Sequence, residues 1–277
     1  MDFDVVVVGG GLVGAALALA LRGASAALVA RERPAPPGAG FDSRIYAISP
    51  GNARFLADLG AWQRMPEARI TPVHAMRVHG DDGRSLMEFD AYRAGASELA
   101  WIVEDGQLQD ALWQGLETQD RLEVLAPAAC EWLEIRGEEA RLGLRDGRTL
   151  KANLVVGADG ARSRVREQVG IAVDERAYGQ VAVVANFACQ RRHQNVALQW
   201  FQGGPVLALL PLPGNHVSMV WSTTEAEAAR LLALGPAALA LAVGQATRNA
   251  LGELSLVTPA RGFALRRLIA ARVVAPR

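Results

Sequence analysis

Apolar and polar positions alternate with different periods along this chain, and the periods name its elements. Val5-Val6-Val7-Val8 is a continuous β-branched run, the signature of a strand covered on both faces. Leu12 to Leu21 is built from Ala and Leu, strong helix formers, and Gly23-Ala24-Ser25 ends it. Ala27 to Ala30 reads as the next strand, completing a βαβ unit of about 30 residues. The prolines of Pro34-Ala35-Pro36-Pro37-Gly38-Ala39-Gly40 exclude helix and central strand, so this is a loop. Asn52 to Leu59 reads as a short helix closed by Gly60. Alternating residues between Val73 and Phe89 predict a hairpin around Asp81-Asp82-Gly83.

Leu108, Leu112 and Leu116 repeat every four positions and predict a helix from about Asp105 to Glu117. Leu122–Leu125, Glu131–Ile135 and Ala140–Leu144 read as a small antiparallel meander, inserted before the fully apolar strand Leu154–Val156. Beyond Gly170 the texture changes. Val181–Phe187, Val196–Phe201, Val206–Leu210 and Val217–Trp221 predict successive strands, and Glu225–Leu234 and Ala237–Asn249 helices, the second opening at Pro236. The expected class is α/β: a Rossmann-like sheet with an inserted β-meander, and a second antiparallel-sheet domain. Its expected boundaries are 1–72 with 101–175, and 73–100 with 176–277.

The glycines add chemistry to this frame. Gly9-x-Gly11-x-x-Gly14 follows a strand and opens a helix, so the backbone of Gly9, Gly11, Leu12, Val13 and Gly14 can approach a pyrophosphate at a helix N-terminus. Glu32, at the end of the next strand, suits a ribose diol, although its neighbours Arg31 and Arg33 also fit a solvated loop. Gly157-Ala158-Asp159-Gly160 repeats the strand-then-glycine pattern and adds a carboxylate. Arg162, Arg164 and Arg166 then crowd the first turns of a short helix, where cations oppose the macrodipole unless an anion lies nearby. Arg162 and Arg166 are expected to share a face, and a helix capped by Asp159 or Ser163 is the plainer alternative. Two such turns in this order point to a bound flavin.

Bulk properties narrow the field. Zero formal net charge removes any case for a nucleic-acid partner. Two isolated cysteines, Cys130 and Cys189, suit a reducing cytoplasmic compartment better than a disulfide scaffold, and the four histidines lack metal-ligand spacing. The apolar N-terminus is expected to be a buried strand and helix rather than a membrane span, because Asp2 and Asp4 precede it and Arg22 would sit within the bilayer.

The order of these motifs resembles the FAD-dependent aromatic-ring monooxygenases, and within them the ubiquinone-biosynthesis hydroxylases. Phe41-Asp42-Ser43-Arg44-Ile45-Tyr46-Ala47-Ile48 is similar to a segment whose arginine lies beside the flavin, and Ile102-Val103-Glu104 to the start of a helix that also approaches it. The resemblance therefore implies a cofactor set of Gly9, Gly11, Leu12, Val13, Gly14, Glu32, Arg33, Arg44, Glu104, Gly157, Asp159 and Gly160, and names no catalytic residue. The same resemblance makes the Rossmann-like sheet one of the glutathione-reductase type and the second domain a substrate domain. It implies FAD as cofactor, NADH or NADPH as reductant, dioxygen, and transfer of one oxygen atom to a phenolic ring, expected to be a polyprenylated ubiquinone precursor. A cytoplasmic enzyme, peripheral at the inner membrane or held in a multi-enzyme assembly, would follow. Trp200, Phe201 and Trp221 are open to two roles, pocket lining and core. The family's third motif, Gly-Asp followed by small residues, comes after a segment similar to Leu265–Arg277, so a C-terminally incomplete member with weak flavin retention is expected. Three other readings stay open: a reductase or dehydrogenase of the same fold, a non-catalytic remnant, and a plain NAD-dependent enzyme.

Overall fold

The computed structural model describes residues 2–275. In chain order it begins β1 (Phe3–Val8), α1 (Leu12–Ala20), β2 (Ala26–Val29), β3 (Ile45–Ile48), α2 (Pro50–Asp58), β4 (Thr71–Val73), β5 (Ala75–His79), β6 (Leu86–Asp90), β7 (Ala100–Glu104) and α3 (Asp105–Leu116). It continues β8 (Leu122–Leu125), β9 (Cys130–Arg136), β10 (Glu139–Leu144), β11 (Thr149–Gly157), α4 (Arg164–Gln168), β12 (Val173–Cys189), β13 (Val196–Phe201) and β14 (Val206–Leu212). The last elements are β15 (His216–Thr224), α5 (Glu225–Leu232), α6 (Pro236–Ala246), β16 (Leu254–Leu256) and β17 (Arg261–Ala270).

The first sheet has the order β8-β2-β1-β11-β10-β9, parallel from β8 to β11 and antiparallel thereafter. Its central strands are apolar throughout because both faces are covered. Val7 and Leu28 pack under α1 and α3, while Val6, Val8, Ala27 and Val29 pack on the other side with Leu142 and Val165. Val8 lies in register with Gly157, so the two glycine turns leave the sheet side by side. One departure from the expected meander is clear. Leu122–Leu125 is not part of it but a parallel edge strand on β2, and the remaining two strands extend the same sheet.

The second sheet runs β16-β12-β15-β14-β13-β5-β6, with β17 also paired to β12. Alternate residues of β12 and β15 point in opposite directions. Val183, Ala185, Phe187, Val217, Met219 and Trp221 pack with α5 and α6, together with Trp200. This resolves the aromatic trio: Trp200 and Trp221 are core, and Phe201 is 45% exposed. The opposite face of the same strands turns toward the segment before β3, where Asn186 Nδ2 donates to the Asp42 carbonyl at 2.8 Å. A three-stranded sheet, β3-β7-β4, lies between the two large ones in the chain's connectivity. No described helix is long and apolar enough to cross a membrane.

Candidate cofactor site

A cavity of about 420 Å³ opens where β1, β2 and β11 end, the crevice outside the carboxyl ends of parallel strands where α/β sheets bind nucleotides. Gly9, Gly11, Glu32, Asp159 and Gly160 all line it, together with Arg164. Each glycine of the first turn is there for a different reason. Gly9 has φ +118°, and a Cβ on it would lie 2.3 Å from the Ala158 carbonyl oxygen, so the two turns touch directly. A Cβ on Gly14 would lie 1.8 Å from the Gly9 carbonyl oxygen, so this glycine lets α1 close on the turn. A Cβ on Gly11 would meet nothing within 4 Å. Protein packing does not require that glycine, which lines the cavity.

The electrostatics suit a dinucleotide. α1 has no acidic residue in its first turn and no side chain capping its N-terminus, so its leading amides remain available to an anion. Asp159 accepts from the Arg164 amide at 2.7 Å through Oδ2, capping α4 jointly with Ser163, whose Oγ accepts from the Arg166 amide at 3.0 Å. Asp159 Oδ1 is buried with no hydrogen-bond partner among the described residues, an acceptor left unsatisfied beside the cavity. Arg164 lines this cavity, whereas Arg166 lines a groove on the other side of the turn, so the expected pairing of Arg162 with Arg166 is replaced by Arg164 alone. Cys130 also borders the cavity, and burial, followed by the Asp159 charge, pushes its thiol up to about 11.

The other predicted residues stand apart from this cavity. Leu12, Val13 and Gly14 form the first turn of α1, with Val13 74% exposed. Gly157 ends β11 against Val165 and lines the neighbouring groove. Arg33 pairs with Glu117 and lies over the Trp113 ring. Glu104 is only 2% exposed and fully engaged: Oε1 accepts from the Asp42 amide at 2.6 Å, and Arg69 donates to both oxygens at 2.7 and 2.8 Å. Arg69 also reaches the carbonyls of Ala39 and Gly40, so this buried pair clamps the loop that precedes Asp42.

Asp42 in turn accepts from the Arg44 amide and, at 3.2 Å, from the Gly106 amide at the start of α3. Arg44 thus lies in a rigid segment, its guanidinium 3.8 Å from Asp105 and 5.6 Å from the Phe263 ring centroid. It borders a second cavity of about 280 Å³, walled by Ile45, Tyr46, Val184, Val220 and Phe263. Burial, then the Asp105 charge, raises the Tyr46 phenol above its usual range, so it stays protonated at neutral pH.

Two residues of the site escape the glycine motif altogether. Gln109 and Trp113, one turn apart on α3, both donate to the Gly10 carbonyl. Their spacing in the Leu108-Leu112-Leu116 repeat places them on one helix face, a signal present in the sequence but silent about its partner.

Comparison with known proteins fits this geometry. Residues 2–240 match the family model described as FAD binding domain. The chain is 37% identical over 234 residues to ubiquinone hydroxylase UbiL of Rhodospirillum rubrum, covering 83% of this chain and 54% of that protein. It is 32% identical over 279 residues to 3-demethoxyubiquinol 3-hydroxylase of Escherichia coli, covering 99% of this chain and 70% of the relative. Against the human mitochondrial ubiquinone biosynthesis monooxygenase COQ6 the identity is 33% over 257 residues, covering 84% of this chain and 53% of the relative. The chain thus spans about half the length of the first and third of these. Among solved structures, the flavin-dependent monooxygenase PieE, in complex with FAD and substrate, superposes with a TM-score of 0.73 at 21% identity, over all of this chain and 52% of that one. PqsL of Pseudomonas aeruginosa superposes with a TM-score of 0.74 at 20% identity, over 95% of this chain and 73% of that one. Both likenesses concern the fold. The open cradle at Gly11, the free helix amides and the unpartnered Asp159 oxygen suit FAD, and this chain belongs to the FAD binding domain family.

Proposed function

We propose that this chain is the FAD-holding and substrate-facing part of a monooxygenase that hydroxylates a phenolic ring, with NADH or NADPH and dioxygen as co-substrates. The observation that carries the reading is the sharing of one cavity by Gly11 and Asp159, with a second, apolar cavity at Arg44. The relatives' printed activities, ubiquinone hydroxylase among them, support a ubiquinone precursor carrying a polyprenyl tail as the substrate class.

Roles follow from position. The glycine turn and the leading amides of α1 would hold the pyrophosphate, and Glu32 the adenosine ribose. Bound FAD would supply the electron and oxygen chemistry that side chains lack. Arg44, whose amide donates to the Asp42 carboxylate, would stand at the edge of the second cavity, and Val184, Val220 and Phe263 would exclude water from the ring being modified. Tyr46 walls the same cavity, with its phenol hydrogen-bonded to the Asp105 carboxylate beside Arg44. We assign residues 1–72 with 101–175 to the cofactor unit and 73–100 with 176–277 to the substrate unit. We place the protein in the cytoplasm, with peripheral contact at the inner membrane or within a multi-enzyme assembly; two buried free cysteines are in keeping with that compartment.

The test is incorporation of oxygen. The purified chain is titrated with FAD, then given NADH or NADPH, a short-chain polyprenyl phenol and isotopically labelled dioxygen. Labelled oxygen in the product ring is the expected result. Oxidation of the reductant with no label in the ring would assign a reductase or dehydrogenase instead, and failure to bind FAD would leave a non-catalytic remnant.

A further inference from the structure

Three glycines in succession, Gly9, Gly10 and Gly11, leave the peptides of the first turn with no side chains of their own to fix them. A peptide group between two of them can turn over, and if it does, a carbonyl oxygen replaces an amide at the same spot. Something must hold the plane.

The holder comes from α3. Gln109 Nε2 donates to the Gly10 carbonyl at 2.6 Å and Trp113 Nε1 to the same oxygen at 2.9 Å. A carbonyl oxygen has two lone pairs, and both are engaged. The peptide is planar and trans, so the Gly11 N–H points opposite to the Gly10 carbonyl, away from α3. That N–H has no partner among the described residues, and Gly11 lines the cavity. The Trp113 ring also backs the turn sterically, since a Cβ on Gly10 would lie 2.7 Å from its Cζ2. Arg33 in turn lies over that ring, 5.9 Å from its centroid, and pairs with Glu117. Trp113 is 3% exposed and outside the cavity lining, so it acts on the turn from behind, whereas Gln109 itself borders the cavity, which makes Trp113→Phe the variant that reads positioning alone.

We propose that Gln109 and Trp113 are positioning residues that lock the Gly10–Gly11 peptide with its N–H presented to the pyrophosphate of FAD. The proposal rests on the reading of the cavity as the dinucleotide site. Arg33, singled out from the sequence as a cofactor residue, acts two steps away by steadying the indole. The two donors are partly redundant, because either one alone still prefers the carbonyl on the α3 side.

The experiment compares the 277-residue chain with Trp113→Phe, Gln109→Leu and the double variant. Dissociation constants are measured for FAD by flavin fluorescence, and for ADP and adenosine by ligand-observed NMR, with circular dichroism melting alongside. Each single variant is expected to weaken FAD and ADP by about two- to threefold, the low end of what one hydrogen bond contributes. The double variant is expected to weaken both by about tenfold or more, equivalent to about 1.4 kcal/mol, with adenosine unchanged. A role in packing alone would lower the melting temperature and leave the ratio of ADP to adenosine affinity where it was; that result overturns the proposal. If the double variant does not fold, Trp113→Phe decides alone, because its loss for ADP must exceed its loss for adenosine. A parent chain that binds neither FAD nor ADP is a separate failure, that of the site itself.

Discussion

Gly11→Ala and Gly14→Ala are chemically the same change three residues apart, and they should fail in opposite ways. Gly11 has φ −71° and open space where its Cβ would be, so alanine fits the fold there. Alanine is a poorer N-cap than glycine, but it also reduces the freedom of the unfolded chain by about 0.4–1 kcal/mol, and the two effects nearly cancel. Stability should therefore move by less than about 1 kcal/mol. The added methyl stands in the space through which the turn's amides reach a pyrophosphate. Displacing two charge-assisted hydrogen bonds of about 1.5–3 kcal/mol each removes about 3–6 kcal/mol of binding. That is about a hundred- to ten-thousand-fold in the FAD dissociation constant. At Gly14 a methyl would meet the Gly9 carbonyl oxygen at 1.8 Å, so α1 must shift off the turn, and overpacking of this kind costs about 1–3 kcal/mol or more. Urea unfolding without cofactor and fluorescence titration with FAD separate the two outcomes. A Gly11→Ala protein that binds FAD like its parent would refute the assignment of the open space to the cofactor. A Gly14→Ala protein of undiminished stability would refute the packing argument.

Two further perturbations test the surroundings of the site. Arg69→Met leaves the Glu104 carboxylate buried without its cation and should cost about 3–5 kcal/mol in urea unfolding, while adding Glu104→Leu should recover only part of that loss because the Asp42 amide then lacks its acceptor; a cost below about 1 kcal/mol for Arg69→Met would show that the clamp contributes little. His79, stacked on Trp200 with 5.2 Å between ring centroids, is held below its usual 6.5 by burial first and by Arg248 and Arg77 second. In the window between its folded value and 6.5 the unfolded chain binds more protons. Stability should therefore be full above 6.5, be lost as the pH falls through the folded value, and lose this dependence in His79→Gln; an NMR titration midpoint for His79 at or above 6.5 contradicts it.

What the sequence revealed about the fold follows from where each signal originates. β1, β2 and the end of β11 are buried on both faces, so their apolar runs are local and legible. Leu122–Leu125 was equally legible as a strand but not as to partner, because its neighbour β2 lies far back in the chain and periodicity carries no address. β17 was silent for the opposite reason. Its exposed positions carry Arg261 and Arg266, and its ion pairs to Glu175 and Asp174 exist only once β12 lies beside it. The same limit governs the site. The two glycine turns announce themselves because their constraint is steric and local. Arg69 gives no sign that it will saturate Glu104, since an ion pair across separate strands and loops leaves no spacing to read.

The fate of Glu104 bears on how the site works as a unit. Its carboxylate fixes the Asp42 amide, the Asp42 carboxylate fixes Arg44 and the start of α3, and the Asp42 carbonyl accepts from Asn186 on the second sheet. α3 then reaches the glycine turn through Gln109 and Trp113. A path of hydrogen bonds, carried along α3 between Gly106 and Gln109, thus runs from Asn186 on β12 to the Gly10 carbonyl. Asn186 Oδ1 and the Ser218 hydroxyl, opposite each other in register and next to the Val184–Val220 pair, are buried without partners among the described residues. Each such atom costs about 1–3 kcal/mol when left bare, so this end of the chain is where added contacts would gain most. Glu104 is therefore better described as the joint that holds both ends in one frame than as a cofactor ligand.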